Sequence, residues 1–292
     1  MADRILIAGS TGTNGRALVR MLLDTTDVRV RALVRDPMMI TDELIEKQGS
    51  RFEFVQGDLL DPSSLVAAFE GVTRAYIVTS IQPHARKLFE NFFHAAEAAD
   101  VSHLVKLSGL GSSPGSASEI IRQHGDTDRM LRETGLPYTI IRPNSFHQNM
   151  LAQSAGIAAN DCFYLPLGDA RQSTIDISDI AEITASILTS DDHFGQSYDL
   201  TGPESLSFHE VASILSDVSG RQITYQPVSL AQAESAFLAN GMPEWTARAL
   251  AEIQDLFATG AYAEVLPDAE RLLGRRPRTF ERFAREHSAA WA

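Results

Sequence analysis

The sequence has little cysteine, little positive charge and no long apolar run. A single residue, Cys162, stands in 292, which excludes an internal disulfide framework and any cysteine metal cluster; a small, partly buried side chain is the expectation for it. The eight histidines show no close ligand spacing and no cysteine cluster accompanies them, which argues against a metal enzyme. No apolar stretch approaches the ~20 residues that span a bilayer, and Met-Ala-Asp-Arg leads straight into a strand pattern without the basic region, apolar stretch and cleavage site of a secretory leader. A cytoplasmic protein with no membrane partner is expected. With 25 Lys and Arg against 38 Asp and Glu, the formal charge of −13 repels nucleic acid rather than attracting it. The remaining composition, 44% hydrophobic and 22% charged, is that of a globular chain long enough for one large domain or two modest ones.

The stretch that organises the chain is its opening. Arg4-Ile5-Leu6-Ile7-Ala8 is apolar and breaks into Gly9-Ser10-Thr11-Gly12-Thr13-Asn14-Gly15, after which Arg16 to Leu23 reads as a helix. Glycines at 9, 12 and 15 suit a turn that needs positive φ or must lie flush against a ligand. The free amides and dipole of the following helix favour a pyrophosphate without a basic side chain. The spacing is Gly-x-x-Gly-x-x-Gly rather than Gly-x-Gly-x-x-Gly, so the strand before and the helix after carry the dinucleotide reading.

A second strand, Val28 to Val34, ends at Arg35 and Asp36. An acidic residue at this position would accept from the ribose hydroxyls of NAD, whereas an arginine pairs with a 2′-phosphate; Arg35, with Arg31 nearby, favours NADPH over NADH. Asp36 is followed by Pro37, which places it at the start of the next turn. Residues 52–61 form a third strand ending in Gly57-Asp58-Leu59, where a carboxylate can reach an adenine amino group. Further strands are expected over Arg74 to Ser80, Leu104 to Ser108 and Pro137 to Pro143, with helices over 62–69, 84–99 and 119–133. This alternation implies a doubly wound parallel α/β sheet with ligand beyond the carboxyl ends of the strands, where Arg35, Asp58, Thr79, Ser80 and Ser108 fall. Beyond Asn149 the pattern changes to shorter strands (163–167, 197–200, 223–228) among helices. One helix starts at Ser207 with Glu210 completing a capping box, another follows Asp179, and the chain is mostly helical from Ala231. The expected division is a dinucleotide-binding domain over 1–150, with segments near 170–202 returning to its sheet, and a smaller, mostly helical lobe over 151–292.

Taken together, Gly9 to Gly15, Arg31-Ala32-Leu33-Val34-Arg35-Asp36, Gly57-Asp58-Leu59, Gly135-Leu136-Pro137-Tyr138-Thr139-Ile140-Ile141-Arg142-Pro143, Gln148-Asn149 and Asp176 to Ala181 resemble the NmrA-like branch of atypical short-chain dehydrogenases/reductases. Arg278 to His287 is similar to the end of bacterial NAD(P)H azoreductase and quinone oxidoreductase members. The resemblance implies a Rossmann domain that binds NADP, followed by a C-terminal substrate lobe. Residue by residue, it implies that Gly9, Thr11, Gly12, Thr13, Asn14 and Gly15 hold the pyrophosphate and Arg35 the 2′-phosphate. Asp58 and Leu59 would flank the adenine, and Thr79, Ser80, Ser108 and the turn from Pro143 through Asn144 to Phe146 would bracket the nicotinamide riboside.

Ordinary short-chain dehydrogenases carry Tyr-x-x-x-Lys, a tyrosine acid with its lysine; this chain has His124-Gly125-Asp126-Thr127-Asp128 in that region. A quinone, azo compound or extended conjugated cation needs little acid help, so positioning supplies much of the catalysis. His124 and Asp128, four apart on a helix, share a face, and the carboxylate would raise the imidazole and make it the proton donor; Ser108 completes the catalytic set, and His147 is a second candidate donor. Phe146, Phe163, Tyr164, Trp245 and Phe257 are candidates to line a slot for a small aromatic substrate. A dinucleotide-binding redox sensor without turnover, or a tailoring reductase or isomerase of aromatic secondary metabolism, stays open beside the reductase reading. A homodimer is the assembly kept in view.

Overall fold

The computed structural model describes residues 3–36, 38 and 51–292; Pro37 lies outside them. Two compact units are present, one comprising Met1–Pro114, Gln123–Arg142 and Ile180–Tyr198, the other Gly115–Arg122, Pro143–Asp179 and Asp199–Ala292.

In the first unit β1 (Arg4–Ala8) leads into α1 (Thr13–Thr25), then β2 (Arg29–Val34), β3 (Phe52–Gln56), α2 (Pro62–Phe69), β4 (Arg74–Ile77), α3 (Ala85–Ala98), β5 (His103–Leu107), α4 (Glu119–Glu133) and β6 (Tyr138–Pro143). Ile5, Leu6, Ile7 and Ala8 are all fully buried, because a parallel strand covered on both faces has no solvent side and reads as an apolar run rather than an alternation. Local chemistry sets the helix boundaries: α2 begins with Pro62 in its first turn and the Asp61 carboxylate accepting from the Ser63 amide at 3.0 Å, which supplies one of the partners a helix start lacks. Leu6, Phe69, Phe89, Phe92, Phe93, Leu104, Leu131 and Ile140 form the core, with Phe69 and Phe92 tilted at 4.9 Å between ring centroids.

The large sheet has seven strands in the order β3-β2-β1-β4-β5-β6-β9, where β9 is Gln196–Leu200. The pairs β1 with β2 and β4, β2 with β3, β4 with β5 and β5 with β6 are parallel. This is the doubly wound sheet that the alternation implies, and its order reverses between β1 and β4. Strand β4 is shorter than expected: the Val78 amide still donates to the Ala8 carbonyl at 3.2 Å, but Thr79 and Ser80 have left the ladder.

The second unit contains a 3-10 segment (His147–Gln153), α5 (Ser154–Asn160), β7 (Cys162–Leu165), β8 (Arg171–Gln172), β10 (Leu206–Ser207), α7 (Phe208–Ser219), β11 (Thr224–Pro227), α8 (Leu230–Ala239), α9 (Glu244–Ala258), α10 (Asp268–Leu273) and α11 (Phe280–Glu286); α6 (Ile177–Leu188) begins two residues before Asp179 and belongs to the first unit from Ile180 on. The three short strands form where expected, yet they do not share a sheet: β9 joins the large one, β7 pairs with β11 in parallel, and β8 pairs with β10 antiparallel. Ser207 and Glu210 make the expected capping box, the serine amide donating to the glutamate at 2.8 Å. Phe163, Phe208, Tyr225, Phe280, Phe283 and Trp291 dominate the core. Cys162 is buried there, its thiol 3.2 Å from the Tyr164 hydroxyl. Among the described residues no helix is long and apolar enough to cross a membrane, and no group of three or more His, Cys, Asp or Glu is placed to hold a metal ion.

Candidate functional site

Where strand order reverses in an open α/β sheet, the loops leaving the two central strands diverge and open a crevice at the carboxyl ends. Here those loops follow β1 and β4, and they touch: a Cβ on Gly9 would lie 2.4 Å from the Val78 carbonyl oxygen. Gly9 also takes φ +84, which L side chains avoid. Gly15 is equally committed, since its Cβ would lie 2.1 Å from the Gly9 carbonyl oxygen. Gly12 differs. It has an ordinary extended conformation, φ −81 and ψ 168, and a Cβ there would meet only the Gly9 oxygen at 3.4 Å. The fold therefore requires glycine at 9 and 15 and leaves position 12 unconstrained.

The loop is held by the Ser10 hydroxyl donating to the Leu33 carbonyl at 3.0 Å and by the Gly12 amide donating to Gly9 at 3.0 Å. Gly12 is the N-cap of α1, and among the described residues no side chain caps that end and no acid lies in its first turn. Thr11 is half-buried and Thr13 exposed. Asn14 holds a buried Oδ1 with no hydrogen-bond partner among the described residues. Such a helix start keeps its amides and positive dipole available to an anion.

The two arginines of β2 part company. Arg31 is consumed by the fold, pairing with Glu53 at 2.8 Å and donating to the Ala68 and Glu70 carbonyls at 2.9 and 2.8 Å at the end of α2. Arg35 is exposed at the strand's end, and its guanidinium has no partner among the described residues. At the end of β3, one Asp58 carboxylate oxygen accepts from the Leu60 amide at 2.9 Å, and the Leu59 carbonyl accepts from Asn91 at 2.8 Å. Thr79 is half-buried, and the exposed Ser80 hydroxyl lies 3.3 Å from Gln82.

Ser108 follows β5, its amide continuing the ladder to Ile141 at 2.7 Å, and its buried hydroxyl oxygen lies outside hydrogen-bond geometry to any described partner. Beneath it is a cluster that sequence reasoning missed. The Lys106 ammonium, fully buried, donates to one Asp128 oxygen at 2.7 Å and sits 4.9 Å from the centre of the Phe89 ring. The Ser112 hydroxyl and Arg142 donate to the other oxygen at 2.8 and 2.9 Å. The available signal was a lysine inside the apolar run Leu104-Val105-Lys106-Leu107, since a strand lysine without solvent needs a buried acid. Burial alone would raise the Asp128 carboxyl, but the Lys106 charge and hydrogen bond, with help from the Ser108 and Ser112 hydroxyl dipoles, hold it down at about 2.

This overturns the expected His124–Asp128 couple. The shared helix face is real, yet among the described residues His124 makes no hydrogen bond to Asp128, whose oxygens are taken by Lys106, Ser112 and Arg142. Burial, and then the Lys106 charge, push the imidazole down to about 3 against the weaker pull of Asp128. That environment disfavours the imidazolium form, so His124 is not the cationic acid expected.

In the second unit, Pro143 and Asn144 are buried. The Asn144 amide is spent internally, donating to the Tyr262 carbonyl at 2.9 Å and the Ser173 hydroxyl at 3.0 Å while its oxygen accepts from the Ser145 amide at 2.7 Å. It shapes the turn rather than offering a side chain. Phe146, half-buried, bridges to Ile175. His147 is a core residue: its ring lies between Phe280 and Phe283, with one nitrogen 2.8 Å from the Thr174 hydroxyl and the other 3.3 Å from the Arg278 carbonyl. Burial pushes its pKa down. Of the candidate slot aromatics, Phe163 is fully buried against Tyr225 and belongs to the core. Phe257 packs edge-on to Tyr262, Trp245 is half-buried and Tyr164 is exposed.

Comparison with known proteins agrees with this architecture. The chain is 37% identical over 287 residues to an NAD(P)H azoreductase of Xenophilus azovorans, with 98% of this chain and 99% of that protein aligned. Its fold superposes with TM-score 0.87 on the NADPH-dependent quinone oxidoreductase QOR2 of Escherichia coli complexed with NADPH, at 26% identity and covering 98% of this chain and 99% of that one. A Citrobacter sp. triphenylmethane reductase complexed with NADP(H) superposes with TM-score 0.85 at 25% identity, covering 97% and 99%. The sequence model of the NmrA-like family matches residues 1–284, and the chain belongs to that family.

Proposed function

We propose that this chain is an NADPH-dependent oxidoreductase that reduces a conjugated aromatic acceptor such as a quinone, an azo compound or a related dye. The observation that carries the reading is Gly12: the fold makes no demand for glycine there, whereas a pyrophosphate resting on the bare start of α1 does. Arg35, exposed and without a described partner, supports the phosphorylated coenzyme. The azoreductase, quinone oxidoreductase and triphenylmethane reductase relatives support the acceptor class.

In this reading the amides from Thr13 to Gly15 hold the pyrophosphate, which rests against the bare Gly12, Arg35 holds the 2′-phosphate, and the free oxygen of Asp58 with the Leu59 side chain the adenine. Thr79, Ser80 and Ser108 face the nicotinamide riboside. NADPH supplies the hydride when bound. Charge arriving on a conjugated acceptor is delocalised, so the protein need not deliver a strong acid, which suits a neutral His124 and the missing Tyr-x-x-x-Lys. To Ser108, a buried hydroxyl with donor and acceptor capacity in hand, we assign the hydrogen bond to the acceptor. We assign the coenzyme to the first unit and infer a cytoplasmic enzyme that works as a homodimer.

The test is NADPH oxidation with a panel of quinones, azo dyes and cationic triphenylmethane dyes. Steady turnover that is faster with NADPH than with NADH is expected. Tight NADPH binding without turnover across the panel would replace the enzyme with a redox sensor, and sedimentation of the purified protein reads the assembly.

A further inference from the structure

We propose that Ser112 and the buried Lys106–Asp128 pair are positioning residues for Ser108. They pin the segment between β5 and α4 so that the Ser108 hydroxyl is kept for the acceptor; the inference rests on the reductase reading above.

Four elements meet at one carboxylate. Asp128 comes from α4, Lys106 from β5, Arg142 from β6 and Ser112 from the intervening segment, at 2.7 to 2.9 Å. The same segment is clamped a second time, because Gly125 brings the α4 backbone so close that a Cβ would lie 2.3 Å from the Ser113 carbonyl carbon. Gly125 and Asp128 are three apart and share a helix face, so one face of α4 grips residues 112–114 by backbone contact and by charge. Replacing a buried ion pair with packed apolar groups is often neutral for stability. What this pair adds is geometry: a carboxylate saturated on one side by Lys106 and turned toward Ser112 on the other. Ser108 and Ser112 bracket the segment. Ser112 is tied to Asp128, whereas Ser108, 5% exposed, keeps its hydroxyl outside hydrogen-bond geometry while lying near enough to the carboxylate to help hold it ionised. Were the segment to relax by about an ångström, Ser108 could itself fall onto the nearby carboxylate and be lost to the site; displacements of that size cost catalysis severely.

The experiment uses Ser112→Ala, Ser112→Thr, Ser108→Ala and the Ser108→Ala/Ser112→Ala double variant of the full chain. Ser112→Ala is expected to lower kcat about tenfold with the NADPH Kd within about twofold of wild type. Ser112→Thr, which keeps the hydroxyl, restores the rate. In the Ser108→Ala background the Ser112 substitution costs nothing further, which a merely structural role would not produce. Amide hydrogen exchange in coenzyme-free protein is expected to quicken across residues 109–114 in both variants that carry Ser112→Ala and in neither Ser108→Ala nor Ser112→Thr. Wild-type kcat in Ser112→Ala, an equal loss in both backgrounds, or unchanged exchange would overturn the proposal while leaving the reductase intact. A wild type that oxidises no NADPH would remove both. Asp128→Asn strands a buried ammonium and is expected to fold poorly, whereas Lys106→Met/Asp128→Leu, which removes both fully buried charges, is expected to fold and to show the Ser112→Ala defect; a fully active double variant overturns the role of the pair.

Discussion

The three glycines of the opening turn make separable demands, and alanine substitution sorts them. At position 15 the new methyl falls 2.1 Å from the Gly9 oxygen and 2.7 Å from its carbonyl carbon. Both are backbone atoms with strand and helix fixed on either side, so the loss of stability is about 3 kcal/mol, the upper part of the overpacking range. At position 9 the strain of φ +84 adds to a 2.4 Å clash with Val78, and a similar or larger loss is expected. At position 12 the nearest atom is 3.4 Å away and φ is −81. Alanine as N-cap costs about 0.5–1 kcal/mol relative to glycine, while stiffening of the unfolded chain returns about 0.4–1 kcal/mol, so stability changes by less than about 1 kcal/mol. The methyl does, however, displace a phosphate from the amides it should meet. Loss of one hydrogen bond to a charged group is about 2 kcal/mol, or about 30-fold in Kd. Urea unfolding and titration of NADPH fluorescence measure the two quantities separately. Gly12→Ala that binds NADPH as tightly as wild type, or unfolds as early as Gly15→Ala, would refute the reasoning.

Arg35→Ala should weaken NADPH by about 1–3 kcal/mol and leave NADH unchanged; equal losses in a paired titration would remove the 2′-phosphate from its role. His124→Gln should leave the pH profile of kcat between about pH 6 and 8 superimposable on wild type, because the imidazole already titrates at about 3; disappearance of a limb near neutrality would restore it as a proton donor. His103 should make the fold sensitive to acid. It is fully buried in β5 with one nitrogen 2.9 Å from the Thr139 hydroxyl and the other unpartnered among the described residues, and burial, with Arg74, lowers it from 6.5 to about 4. Between those values the unfolded chain binds the proton and the native state does not. Stability therefore falls as pH drops below about 6.5 and levels off below about 4, by about 3 kcal/mol in all. Urea midpoints across that range should be flatter in His103→Gln, and an identical slope would exclude His103 as the cause.

Much of this protein is local and therefore legible in its sequence. The strand, glycine turn and helix of residues 4–25, the Ser207 cap and the arginine ending β2 depend on neighbouring residues and backbone geometry. Apolar runs without alternation reported strands buried on both faces, which only a helix-covered parallel sheet provides. Tertiary structure decided what depends on distance through space and on the loss of water. It separated Gly12 from Gly9 and Gly15, because clashes with Val78 and the Gly9 carbonyl are contacts between loops. It paired the short strands Cys162–Leu165 and Thr224–Pro227 with each other in a sheet of their own. It gave Asp128 to Lys106, 22 residues away, in place of His124 on the same helix, and spent Asn144 on Ser173 and Tyr262. A buried carboxylate takes the partner that best repays its lost hydration, and helical spacing says which groups share a face without saying which charge lies opposite.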